Sequence, residues 1–366
     1  MIKLPESLDV FYHNKLVGTL SMTPGNHKCA FEYSQTWLAE GFSISPLELP
    51  LKSGLLLPKT DYFYGNFGIF EDSMPDGYGN YLLNRILQKY GTSLVEMNPV
   101  ERLSFVGEKG MGALTYVPES TLNTVQDTAT LDQMQQDALD VLSEKDFSST
   151  EMLYINSGNS GGCRPKCLWK DEDGSWLVKF RHTYDPIDIG RREYEILRKA
   201  KECGITVPDS KLFNGRYLGT RRFDIAPDGA RLHVATASAL LCESIRQPMM
   251  DYRRLIRFTA YLTQDMAQAQ EMFRRMIFNY EIGNNDDHAK NFSFIFDGMK
   301  WSISPAYDIT ECRDANHGFH SSLANGKEHP TQEDFLIIAG DAGLTKKQAL
   351  NITGHIRDVV NHPAKG

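Results

Sequence analysis

The stretch Asn284-Asn285-Asp286-Asp287-His288-Ala289-Lys290-Asn291 crowds Asp and Asn side chains into one short polar segment. Just before it, Phe273, Met276, Ile277 and Tyr280 recur at the spacing of one helical face. Gly283 stands where that helix would end, so the cluster is expected as a turn at a helix C-terminus. Asp308 follows after a short strand pair. Working outward, Cys167-Leu168-Trp169-Lys170 and Trp176-Leu177-Val178-Lys179-Phe180 flank Asp171-Glu172-Asp173-Gly174, which reads as a hairpin. A helix is expected from Glu193 to Cys203, ending at Gly204, then strands near 211–214 and 217–224, then a helix-rich half with Thr331 and Thr345 as N-caps. From residue 150 the order is hairpin, helix, two strands, then mostly helices. That order predicts an α+β chain with a small β-rich lobe and a larger helical lobe.

The first third reads as a separate α/β region. Leu8, Val10 and Tyr12 alternate with polar neighbours, His13-Asn14-Lys15 supplies a turn, and Leu16 to Leu20 continues as the hairpin partner. Residues 45–60 look like an irregular packed connection. A helix is expected after Pro75-Asp76-Gly77, carrying Leu82, Leu83, Ile86, Leu87 and Tyr90, with Gly91 at its end. Ala113 to Val117 reads as a short strand. Residues 118–132 turn polar and mark a linker, and a helix over about 131–144 leads directly into the second β-rich region.

Bulk properties narrow the function classes. The 366 residues suit two or three domains, and 41% hydrophobic with 23% charged residues is a composition that builds full cores. No apolar run reaches bilayer-spanning length, and the N-terminus has no secretory h-region, so a cytoplasmic protein is expected. The net charge of −8 argues against unaided nucleic-acid binding, with Arg191-Arg192 and Arg253-Arg254 the local basic exceptions. The six cysteines form no second pair to complete a zinc site around Cys163 and Cys167.

Three features fit nucleotide phosphate chemistry. Ser157-Gly158-Asn159-Ser160-Gly161-Gly162 would let backbone N–H groups approach phosphate oxygens, although glycine-rich turns also join strands with no ligand at all. Lys179 sits among apolar residues in a strand, like a phosphate-pairing lysine, with Glu193 on the next helix as its partner; a solvated edge-strand lysine reads the same way. Asp286 and Asn291, five apart, with Asp308 downstream, match the spacing of a proton-accepting carboxylate and two Mg²⁺ ligands. A plain Asx-rich turn is the competing reading of that third feature.

Beyond spacing, Asn285 to Ser293 followed by Ser304-Pro305-Ala306-Tyr307-Asp308 resembles the HipA-type serine/threonine kinase toxins, as does Gly161-Gly162-Cys163-Arg164-Pro165-Lys166. Phe70 to Gly77 and Val106 to Leu114 resemble that family's N-terminal region. The resemblance implies a bilobal protein-kinase-like fold with an N-terminal subdomain over 1–120, a linker helix and N-lobe over 121–225, and a helical C-lobe over 226–366. It implies ATP and Mg²⁺ as cofactors, Asp286 as proton acceptor, and Asn291 and Asp308 as metal ligands. Gly161, Gly162, Cys163, Arg164, Lys166, Lys179, His288 and Tyr307 would surround the nucleotide, and Arg221 and Phe223 would lie in the adenine-contacting hinge. Ser160 and Ser157 are the candidates for an autophosphorylated loop serine. The implied partners are a protein substrate, such as an aminoacyl-tRNA synthetase, and a HipB-like helix-turn-helix antitoxin that would supply contact with operator DNA. Two alternatives stand beside this reading: a phosphotransferase acting on a small molecule, and a pseudokinase serving as a binding module.

Overall fold

The computed structural model describes residues 3–25, 27–120, 129–157, 161–244 and 250–362. These form two compact units, one comprising residues 1–190 and 211–234, the other 191–210 and 235–366.

The first unit is built on two antiparallel sheets. β1 (Ser7–Tyr12), β2 (Lys15–Met22), β3 (Cys29–Tyr33) and β4 (Leu114–Val117) are ordered β3-β2-β1-β4. Leu8 and Val10 are fully buried while their neighbours Ser7 and Asp9 are exposed, which is the period-2 pattern that makes β1 a one-sided strand. The second sheet holds β5 (Lys166–Asp171), β6 (Gly174–Lys179), β7 (Ser210–Phe213) and β8 (Tyr217–Arg221) in the order β5-β6-β8-β7. The β5–β6 hairpin closes through its own sequence. The Asp171 carboxylate accepts from the Asp173 and Gly174 N–H groups at 3.0 and 3.1 Å and from Trp176 Nε1 at 2.8 Å. β8 ends at Arg221, short of the expected 224, because the chain there bends so that Asp224 is buried against Arg222 and the Gly112 N–H.

Helix Gly77–Lys89 is capped by Asp76, and its buried face of Leu82, Leu83, Ile86 and Leu87 lies in one core with Leu131, Met134, Ala138, Leu153, Cys167, Trp176, Val178 and Tyr217. The N-terminal region and the β5–β8 sheet therefore share a hydrophobic centre. Helix Leu131–Leu142 is present as expected, but a second helix, Thr150–Ser157, intervenes before β5 where none was expected. Its residues carry no clean apolar stripe; it is held by burying Leu153 and Tyr154 in that common core.

The second unit contains helices Tyr252–Thr263, Met266–Ile282, Gln332–Asp341 and Lys346–Asn361. Thr331 and Thr345 both cap their helices in reciprocal capping boxes. β9 (His233–Thr236), β10 (Ser293–Phe296) and β11 (Trp301–Ile303) form a third sheet, ordered β11-β10-β9. The basic pair Arg253-Arg254 is neutralised, by Asp341 and Glu243. Among the described residues no helix is long and apolar enough to cross a membrane.

His233 gives the first unit an acid-sensitive point. It is fully buried, with Nε2 2.8 Å from the Ile44 carbonyl oxygen, and burial pushes its imidazole down to about 4. The folded state therefore binds the proton later than the unfolded state. Stability present above the unfolded value of about 6.5 should fall as pH drops toward 4, by on the order of 3 kcal/mol. Denaturant melts across that range should show the loss, and His233→Gln should flatten it.

Candidate active site

The second unit carries the Asn/Asp turn. Helix Met266–Ile282 ends at Gly283 with φ of 71°, the left-handed C-cap conformation that favours glycine. The residues that follow have sharply different surroundings. Asn284, Asn285 and Asp287 are buried, whereas the Asp286 side chain is 55% exposed. Asn284 Nδ2 donates to Asn279 Oδ1 at 3.1 Å, and Asn285 Nδ2 donates to the Arg313 carbonyl at 2.6 Å.

Asp287 is the anchor of the turn. Its fully buried carboxylate accepts from Tyr252 Oη at 2.7 Å, His320 Nδ1 at 3.0 Å and the Ser322 N–H at 3.2 Å. A buried carboxylate needs such donors, because desolvation without them costs several kcal/mol. Facing an acceptor-only group, Nδ1 of His320 carries the proton. Burial, and then the adjacent Asp287 charge, holds the Tyr252 phenol well above its ordinary range, so it stays a donor.

Asn291 Nδ2 donates to the Asp286 carbonyl at 2.7 Å, which fixes the five-residue spacing as a closed turn. His288 Nε2 lies 3.7 Å from Asp286 Oδ1. Tyr307 Oη bridges Ser293 Oγ and the Lys290 carbonyl, each at 2.6 Å. Asp308 adopts a left-handed backbone, φ 54°, a conformation that costs a non-glycine residue on the order of 1 kcal/mol. Arg275, buried, donates to the Ser304 carbonyl at 2.7 Å and supports the segment leading to Tyr307 and Asp308. Asn291, Tyr307 and Asp308 line one small pocket together with Asn284 and Asp287; Asp286 and His288 lie outside its lining.

The first unit carries the glycine loop and strand lysine. Lys166 and Lys179 are directly opposite in the β5–β6 register. Like charges facing each other across a strand pair are unfavourable in isolation and suit an anionic ligand. Lys166 Nζ donates to the Gly161 carbonyl. Gly162 has φ of 97°, and a Cβ there would meet Lys166 Nζ at 2.7 Å. The Cys163 Sγ packs where a Cβ on Gly77 would stand. The Arg164 guanidinium is engaged by Asp185, so any share of Arg164 in holding phosphates falls to its backbone. Arg221 lies over the Trp176 ring, 5.2 Å from its centroid, and Phe223 is half-buried beyond the end of β8. Ser157 is the last residue of its helix, buried, with Oγ donating to the Tyr154 carbonyl at 3.0 Å; Ser160 lies outside the described residues. Glu193 is buried on helix Ile189–Glu202 and belongs to the second unit.

Residues 158–363 match the HipA-like C-terminal domain, and residues 8–117 match the HipA N-terminal domain. The chain belongs to the HipA family. It is 22% identical over 354 residues to the serine/threonine-protein kinase toxin HipA of Shewanella oneidensis, covering 87% of this chain and 78% of that protein. Two proteins bearing the name "putative kinase" are also similar. One, from Sinorhizobium fredii, is 29% identical over 154 residues, 37% of each chain; the other, from Haemophilus influenzae, is 26% identical over 216 residues, 49% of this chain and 62% of that protein. The matches thus span about a third and three fifths of those two relatives. The solved complex of Shewanella oneidensis HipA, HipB and operator DNA contains a chain of the same fold, with TM-score 0.72 at 19% identity, covering 96% of this chain and 88% of that one.

The Asp287 network went unread in the sequence: Tyr252, His320 and Ser322 carry no motif, and Asp287 itself stood in the cluster without a role. Tyr252→Phe should remove one donor from that carboxylate and cost roughly 1.5–3 kcal/mol in denaturant melts. Because the folded phenol ionises later than the unfolded one, stability should hold up to about pH 10 and fall above it. The same variant should make that alkaline limb shallower.

Proposed function

We propose that this chain is an ATP-dependent serine/threonine protein kinase of the HipA toxin type. The observation that carries the reading is the Asp286–Asn291 turn, closed by its own hydrogen bond, with Asn291 and Asp308 lining one pocket. The exposed Asp286 carboxylate would accept the proton of a substrate Ser or Thr hydroxyl as its oxygen attacks the ATP γ-phosphorus and the β,γ-bridging bond breaks.

Asn291 and Asp308 supply hard oxygen donors, which fit Mg²⁺, an ion usually held by one or two such side chains with phosphates and waters completing its shell. When bound, that ion neutralises charge on the transferring phosphate. With its Nδ2 committed to the Asp286 carbonyl, the Asn291 amide offers its Oδ1 to the metal. Lys166, Lys179 and the backbone of Gly161, Gly162, Cys163 and Arg164 would hold the phosphates. Tyr307 and His288 would flank the nucleotide, and Arg221 and Phe223 would contact its base.

Of the two loop serines, the buried and hydrogen-bonded Ser157 is the poorer acceptor, which favours Ser160 for autophosphorylation. The protein substrate belongs to the translation machinery, with an aminoacyl-tRNA synthetase as the class to test first. A HipB-like helix-turn-helix antitoxin, and operator DNA through it, are proposed as partners. The acidic net charge and the pairing of Arg253 and Arg254 support leaving DNA contact to that partner.

Transfer of labelled γ-phosphate to the chain itself and to cell-extract proteins tests the reading. Asp286→Asn should lower transfer by at least ~10²-fold with the melting temperature kept. Asn291→Ala should raise the Mg²⁺ concentration needed for half-maximal rate. Absence of any transfer by unphosphorylated wild type would sink the proposal.

A further inference from the structure

Residues Gly161 to Lys166 are tethered almost one by one. The Gly161 carbonyl accepts from Lys166 Nζ, and the Gly162 carbonyl accepts from the Tyr78 N–H at 3.1 Å. The Pro165 carbonyl accepts from the Phe180 N–H at 2.8 Å. Between these, Arg164 donates through Nε and Nη2 to both oxygens of Asp185, at 2.9 and 3.0 Å. Such a two-point bond fixes a direction as well as a distance, so it sets the path of the loop at its middle residue.

Asp185 is itself held ready. Its side chain is only 4% exposed, its Oδ2 also accepts from the His182 N–H at 2.8 Å, and its own N–H donates to the His182 carbonyl at 3.1 Å. The carboxylate thus sits in a closed turn just after β6, the strand that ends at Lys179. A single rigid turn fixes the loop relative to the strand that carries the proposed phosphate lysine. The tethers at Gly161, Gly162 and Pro165 are made by backbone groups or by a proposed ligand-binding lysine. The Arg164–Asp185 pair joins it through two side chains, neither of which is assigned to the ligand.

We propose that Asp185 is a positioning residue for nucleotide binding, holding Gly161–Lys166 through Arg164 in the conformation that receives phosphates. The inference rests on the kinase reading above. Without the clamp the loop must be ordered by the ligand itself, so affinity and KM for MgATP should suffer while the phosphoryl-transfer step, served by Asp286, should not.

The test is titration of full-length, phosphatase-treated protein with trinitrophenyl-ATP, alongside kinetics with MgATP. Asp185→Asn should weaken binding on the order of 10-fold, the scale of one two-point charged pair, and raise KM similarly with kcat within about twofold. Arg164→Lys, which keeps the charge and loses the fork, should weaken binding as well. The double variant should be no weaker than the worse single, as expected for two residues acting as one clamp. Wild-type binding with unchanged affinity in both single variants overturns this inference and leaves the kinase reading standing, as does a fall in kcat at constant KM. A wild type that binds no nucleotide overturns both. If Asp185→Asn fails to fold, Arg164→Lys at the more exposed end of the pair decides the matter alone.

Discussion

A carboxylate cannot remain charged inside a protein unless donors surround it, and the Asn/Asp turn is organised by that constraint at Asp287. Three parts of the second unit are drawn to one buried charge: the start of helix Tyr252–Thr263, the segment around His320, and the backbone of Ser322. Once they are in place, the next residue back along the chain has its backbone fixed while its side chain remains in solvent. The two neighbouring aspartates divide the work. One is immobilised so that the other can be aimed.

The same logic recurs in the first unit. Asp224 takes two bonds from Arg222 and one from the Gly112 N–H, and so ties the exit of β8 to the glycine-rich segment of the N-terminal region. Arg222 offsets the desolvation of that carboxylate and holds it below the usual range. The Arg164–Asp185 pair, with Asp185 buried and Arg164 partly open to water, fixes local chain direction. Buried acids set the framework here, and the one at Asp185 directs a loop upon it.

Legibility in the sequence followed the range of the interactions. The β5–β6 hairpin was readable because Asp171 closes its own turn within three residues, and the capping boxes at Thr331 and Thr345 are equally local. Gly283 and the Asp286–Asn291 spacing were visible for the same reason. The partners of Asp287 are 33 and 35 residues away, and no periodicity predicts them. Helix Thr150–Ser157 was missed because its stability comes from the core it enters and not from its own pattern. The place of Arg164 in a clamp depends on Asp185, 21 residues on, in a segment with no signature.

The common core of the first unit separates two ideas of modularity that are easily conflated. The two family matches, 8–117 and 158–363, are separated by a stretch that begins with polar sequence and looks like a natural place to cut or fuse. Yet Trp176, Val178 and Tyr217 on one side of it rest against Leu82, Ile86 and Leu87 on the other. Recombination at that point would separate two halves of one hydrophobic interior. In this chain the two recognisable segments therefore share one interior, and a change of side-chain volume in either is felt by the other.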